Sequence, residues 1–153
     1  MQMKLIVIKS LFMLLLIGLS ACTFTSVHND QESDQAKGKL FMNTFYYDIK
    51  AKNYDHLLKS TSDSLIKLAG SENFLNLFKN INQKVGDFKG YKVFKVETKR
   101  VDKDGNSTVY YRFLNNVEYN KGPVKEEVVL VSEGENKIKI MSYHAYSDLL
   151  MKP

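Results

Sequence analysis

The chain has 153 residues, with 22 basic and 17 acidic side chains and one cysteine. That length suits a single domain of about 100 residues once unpatterned ends are set aside. The lone cysteine excludes an internal disulfide framework, and the mild positive excess lacks the dense basic patch of a nucleic-acid-binding protein.

At the N-terminus, Lys4 and Lys9 flank an apolar run from Leu11 to Leu19, interrupted by Gly18. Leu19-Ser20-Ala21 then leads directly into Cys22. The run is shorter than the roughly 20 residues of a spanning helix. A positive flank, a short apolar stretch and small residues before a cut form an export signal. With Cys22 immediately after Ala21, the segment resembles the lipobox of bacterial lipoproteins. An ordinary signal or an uncleaved anchor is the alternative. The resemblance implies that residues 1–21 are removed as a signal peptide and that Cys22 carries the lipid, palmitate included. Threonine rather than aspartate at position 23 implies the outer membrane, with the side on which the domain faces left open. Residues 22–35 are polar and read as a flexible tether. Downstream of residue 21, 20 cations stand against 17 anions, a side-chain sum of +3.

The domain is expected over residues 36–146, with 147–153 as a tail. Ala36 to Lys52 has helical spacing, with Leu40, Phe41, Thr44, Phe45, Tyr47 and Asp48 recurring at the helical period. Asn53 is placed to cap a short helix, Tyr54 to Lys59. Ser62 and Asp63 open another that stops at Gly70, and Ser71 is placed to cap a third. The apolar face of that third helix is Phe74, Leu77, Phe78, Ile81 and Val85, with Gly86 as its stop. After Gly90 the period changes to two. Four strands are expected: Tyr91–Val101, Ser107–Tyr119, Val124–Glu133 and Lys137–Tyr146. Short turns between them predict an antiparallel meander, and helices before strands predict an α+β fold with the helices on one face. Val109, Tyr111, Phe113, Val117 and Tyr119 share one face of the second strand. Tyr110 and Leu114 share the other, so a cover for the outer face is expected, for example a second copy of the chain in a homodimer.

Three helices followed by a long meander resemble the nuclear transport factor 2-like superfamily, the cone-shaped roll of ketosteroid isomerases. The resemblance rests on the Phe41/Phe45 helix, Asn53-Tyr54-Asp55, Phe74 to Gly86, and Ile138-Lys139-Ile140-Met141-Ser142-Tyr143. It implies a curved four-stranded sheet enclosing a cavity with the helices. A cystatin-like sheet with differently arranged helices is the rival fold.

In enzymes of that superfamily an acid or histidine in the cavity moves protons. The candidates here are Asp48, on the apolar side of the first long helix, and His144, in phase with Ile138 and Ile140. Tyr110 and Arg112 share a strand face, and Arg112 is expected to pair across strands with Glu126 or Glu127. The superfamily's catalytic pair does not map onto this chain residue by residue. Asp102 to Phe113 places Ser107 where a calcium loop needs glycine and Phe113 where it needs a bidentate glutamate, so a hairpin turn is expected. The histidines at 28, 56 and 144 are too scattered to suggest a metal site, and no phosphate loop or nucleophile motif is present. No cofactor is expected. The reading that follows is an envelope-anchored, non-catalytic module for a small apolar ligand or a protein partner, with no nucleic acid. The alternatives are an isomerase- or dehydratase-like enzyme using Asp48 or His144, and a periplasmic inhibitor or immunity-type protein.

Overall fold

In the computed structural model, residues 25–133 and 137–151 are described. Cys22 and the expected signal segment lie outside them. The fold is α+β. A long helix α1 (Glu32–Ala51), two short helices α2 (Tyr54–Lys59) and α3 (Asp63–Ala69), and α4 (Ser71–Val85) precede the main run of strands. Strand β1 (Thr25–Asn29) comes before the helices, and β2 (Phe88–Lys103), β3 (Asn106–Tyr119), β4 (Gly122–Glu133) and β5 (Ile138–Tyr146) follow them. The strands form one open antiparallel sheet in the order β1-β2-β3-β4-β5.

The sheet therefore has five strands, not four, and the fifth comes from the expected tether. Thr25 to Asn29 pair with Lys103 to Lys99 along the β2 edge. Asp30 extends the pairing, its amide donating to the Thr98 carbonyl (2.9 Å) while its carboxylate accepts from the Thr98 amide (2.8 Å). Helix α1 begins at Glu32, four residues earlier than its apolar periodicity suggests, because Asp34 is buried and paired rather than solvated. Arg100 of β2 donates to Asp34 from Nε (3.0 Å) and from Nη2, and its Nη1 donates to Ser107 (2.7 Å). A two-pronged guanidinium–carboxylate pair fixes orientation as well as proximity.

The helices cover one sheet face. Met42, Phe45, Tyr46 and Ile49 of α1 and Phe74, Phe78, Ile81 and Val85 of α4 are buried against Val109, Tyr111, Phe113 and Val117 of β3 and Val124, Val128 and Leu130 of β4. The alternation of β3 holds along its length: the five inward residues expected from the sequence are buried, and Tyr110, Arg112, Asn116 and Glu118 are exposed. One helix cap falls on a different residue from the one expected, and another is in place without its side-chain bond. Gly70, at φ 81°, is the N-cap of α4 in place of Ser71. Asn53 makes no capping bond, and its amide reaches back to Asp48. Ser62 caps α3 through the Leu65 amide (3.3 Å). Asp104-Gly105 forms the two-residue hairpin turn between Lys103 and Asn106, both turn residues at positive φ. The expected tail contains a helical turn, α5 (Asp148–Met151), with Leu149 and Leu150 against the core.

Helix α1 comes close to β3 at Gly38. A Cβ there would lie 2.7 Å from Tyr111 Cδ1 and 2.9 Å from Phe113 Cζ. Both rings are packed, so Gly38→Ala must displace the helix or the rings. It should lower stability by about 1–3 kcal/mol despite alanine's better helix propensity, as read by urea unfolding.

Candidate functional site

The buried face carries one carboxylate among apolar side chains. On β4 the inward series is Val124, Glu126, Val128 and Leu130, and Glu126 is 2% exposed. Its Oε1 accepts from the Tyr119 hydroxyl (2.8 Å) and its Oε2 from the Tyr46 hydroxyl (3.0 Å). Tyr143 is also buried nearby, but its hydroxyl has no well-formed bond. Directly across the strand pair, Asn115 is buried, and neither of its side-chain polar atoms has a partner among the described residues. Among the described residues no cation pairs with Glu126. Burial without a counter-charge raises its pKa to about 7, against the opposing pull of the phenol donors. Burial also pushes the phenols of Tyr46, Tyr119 and Tyr143 up, and the adjacent carboxylate adds to the effect.

Aromatic packing seals this group. The Tyr46 ring stacks on Tyr91 at 3.9 Å and on Phe88 at 5.4 Å, and it meets Phe45 edge-on at 5.0 Å. Phe78 lies 4.9 Å from the Tyr143 ring. Arg112, which could have offered a counter-charge, points to the other face. There it donates to Glu127 (2.8 Å) and Glu97 (3.1 Å), and Lys95 joins Glu97 (2.7 Å). Of the two partners expected for Arg112, Glu127 is the one that pairs, and Glu126 is buried on the opposite face.

The structure does not bring Asp48 and His144 together. Asp48 is buried at the end of α1, where Oδ2 accepts from His56 Nδ1 (2.6 Å) and Oδ1 from Asn53 Nδ2 (3.3 Å). These bonds pin the α1–α2 corner. Half of the His56 side chain stays exposed, and Asp48 is its only partner among the described residues. A carboxylate that orients an exposed imidazole is the supporting half of a general-base device.

His144 lies on the outer face, contrary to the phase expected from Ile138 and Ile140. Ile140 pairs with Leu130 and Ser142 with Val129, leaving Met141 as a bulge. The extra residue shifts the alternation, so Tyr143 turns inward and His144 outward. His144 then contacts the Ser142 hydroxyl (3.0 Å) and stands opposite Glu127. Among the described residues no group of three His, Cys, Asp or Glu side chains is placed to hold a metal ion.

The grooves lie at the surface. One, about 640 Å³, runs between α1 and the β2–β3 hairpin, with Lys37, Leu40, Val109 and Tyr111 in its lining. Another, about 390 Å³, is on the outer face between Phe94, Leu114 and Tyr146. Phe94 is the residue bulged out of β2 between Val93 and Lys95.

Because Glu126 holds its proton more tightly folded than unfolded, its contribution is fully present below about pH 4.5 and is lost as pH rises through about 7. Glu126→Gln should remove this dependence. Relative to the parent, the variant should gain roughly 3 kcal/mol between pH 4.5 and 8, measured by denaturant unfolding at each pH. No protein-family model, curated protein or solved structure matches the chain.

Proposed function

We propose that the chain is an exported bacterial lipoprotein, moored to the outer membrane through Cys22, whose α+β domain is a non-catalytic module that binds a protein partner. The observation that carries the non-catalytic part is the sealing of Glu126. This carboxylate, buried on the inner side of β4, is capped by two phenols and covered by stacked rings. The two residues the sequence offers for proton transfer are separated, Asp48 at a helix corner and His144 on the outer face. The order of helices and strands is compatible with a nuclear transport factor 2-like roll that has gained an edge strand.

The outer face supports the binding part. Phe94 is 72% exposed and Tyr146 57%, and they flank a groove whose rim carries Lys125 and Glu127. An apolar side chain between flanking charges of both signs would complement this groove. A second reading, a proton-transfer enzyme, draws on Glu126 with its pKa near neutrality rather than on Asp48 or His144.

Two measurements test the proposal. Cys22→Ser should abolish incorporation of labelled palmitate and shift the protein out of the membrane fraction, while the domain keeps its circular dichroism spectrum. Retained label and membrane location would overturn the lipoprotein reading. A photo-crosslinker at position 94 should give a discrete adduct that Tyr146→Ala weakens at least fivefold and Glu126→Gln leaves intact. An adduct of twice the chain mass would make the partner a second copy.

A further inference from the structure

The entry of the chain into the fold has a geometric consequence. Thr25 already pairs with Lys103, so Cys22 lies three positions from the sheet, with two residues between them. Three positions span at most about 11 Å. A lipid on Cys22 therefore holds the β2–β3 hairpin end of the sheet against the bilayer.

The groove of about 640 Å³ opens at that end, with Gly105, Asn106 and Ser107 of the hairpin in its wall. A second groove of about 580 Å³ continues from it along α1, sharing Lys37, Leu40 and Ile138 and adding Lys137 and Lys139. Among the described residues, no aspartate or glutamate lines either groove. The floor is apolar, with Leu40 at 68% exposure. The cations on the rim are not equivalent. Asp34 neutralises Arg100, and Lys139 donates to the Lys59 carbonyl, whereas Lys37 and Lys137 are exposed and make no ion pair among the described residues. Beside a bilayer, two free ammonium groups over an apolar floor complement a phosphodiester headgroup and its glycerol–acyl stem.

We propose that this hairpin-end groove seats an anionic phospholipid of the leaflet that holds Cys22, so that the domain docks by that end on its own membrane. The orientation rests on the lipoprotein reading, but the groove chemistry does not. The test separates the two by using the polypeptide that begins at Cys22, made without signal or lipid, which contains every described element. Its binding to phosphatidylglycerol vesicles and to phosphatidylcholine vesicles is measured by co-sedimentation. Preference for phosphatidylglycerol is expected, falling at high salt. Lys37→Ala with Lys137→Ala should weaken it by roughly fivefold per lysine, on the order of 25-fold together. Both side chains are exposed, so the fold should persist, which circular dichroism checks. The pair Lys89→Ala and Lys92→Ala, exposed on β2 toward the end away from the hairpin, should change binding less than twofold. Equal affinity for both vesicles, no binding to either, or equal losses from the two lysine pairs would overturn the proposal. So would saturable binding of dodecyl phosphate without vesicle binding, which would assign the groove to a soluble amphiphile. Palmitate labelling of Cys22 reports separately on the anchor.

Discussion

The laying of α1 across the inner face of the sheet is the constraint on which the rest of the structure depends. Three contacts along the helix define it. Near its start, Asp34 grips Arg100 of β2. One turn later, Gly38 lets the backbone come down onto Tyr111 and Phe113. Two turns further on, Tyr46 reaches Glu126 of β4. A helix fixed at both ends and pressed close between them has one depth and one angle. The pockets for Phe45, Met42 and Ile49 are then set, and α4 packs against a surface already formed. This is a case in which buried polar contacts select one arrangement from several that apolar burial alone would permit.

Glu126 illustrates the cost of that selectivity. Its two phenol bonds satisfy both oxygens but supply no charge, so desolvation is only partly offset. A valine in phase with Val124 and Val128 would avoid that penalty. The tyrosines would then be left with buried hydroxyls and no acceptor, so carboxylate and phenols form one unit rather than separable contacts. Asn115 and the Tyr143 hydroxyl sit beside this unit with no well-formed hydrogen bond among the described residues. The polar character of the region therefore extends beyond the bonds that hold it.

Much of the architecture is legible in the sequence. The change of period near Gly90, the Asp104-Gly105 turn and the inward series of β3 each rest on local chemistry that tertiary contacts reinforce. What is not legible depends on partners distant in sequence. Thr25 to Asn29 looks like a tether because its burial pattern is almost wholly exposed; only the unsatisfied edge of β2 makes it a strand. Asp34 looks like a solvated acid until Arg100, 66 positions later, is folded onto it. The bulge at Met141 is silent in composition, yet it reverses the face of His144. Glu126 is the exception, since an acid in phase with Val124, Val128 and Leu130 is a signal the alternation contains. Its neighbour Glu127 draws attention instead, as the obvious cross-strand partner of Arg112. The pairing of His56 with Asp48 has no sequence signal beyond proximity across a helix break.

Strand β1 has a mechanical meaning. It is the last strand of the sheet, joined to β2 by antiparallel pairing over five residues, and Thr25 is at the hairpin end. If Cys22 is the mooring point, a pull between membrane and domain runs along the axis of β1. The hydrogen bonds to β2 are then loaded together in shear instead of being opened one at a time. The Asp30–Thr98 bonds and the Asp34–Arg100 pair lie behind them as successive catches. The attachment would resist drag and turgor-driven motion better than its short length suggests, and its failure would be abrupt.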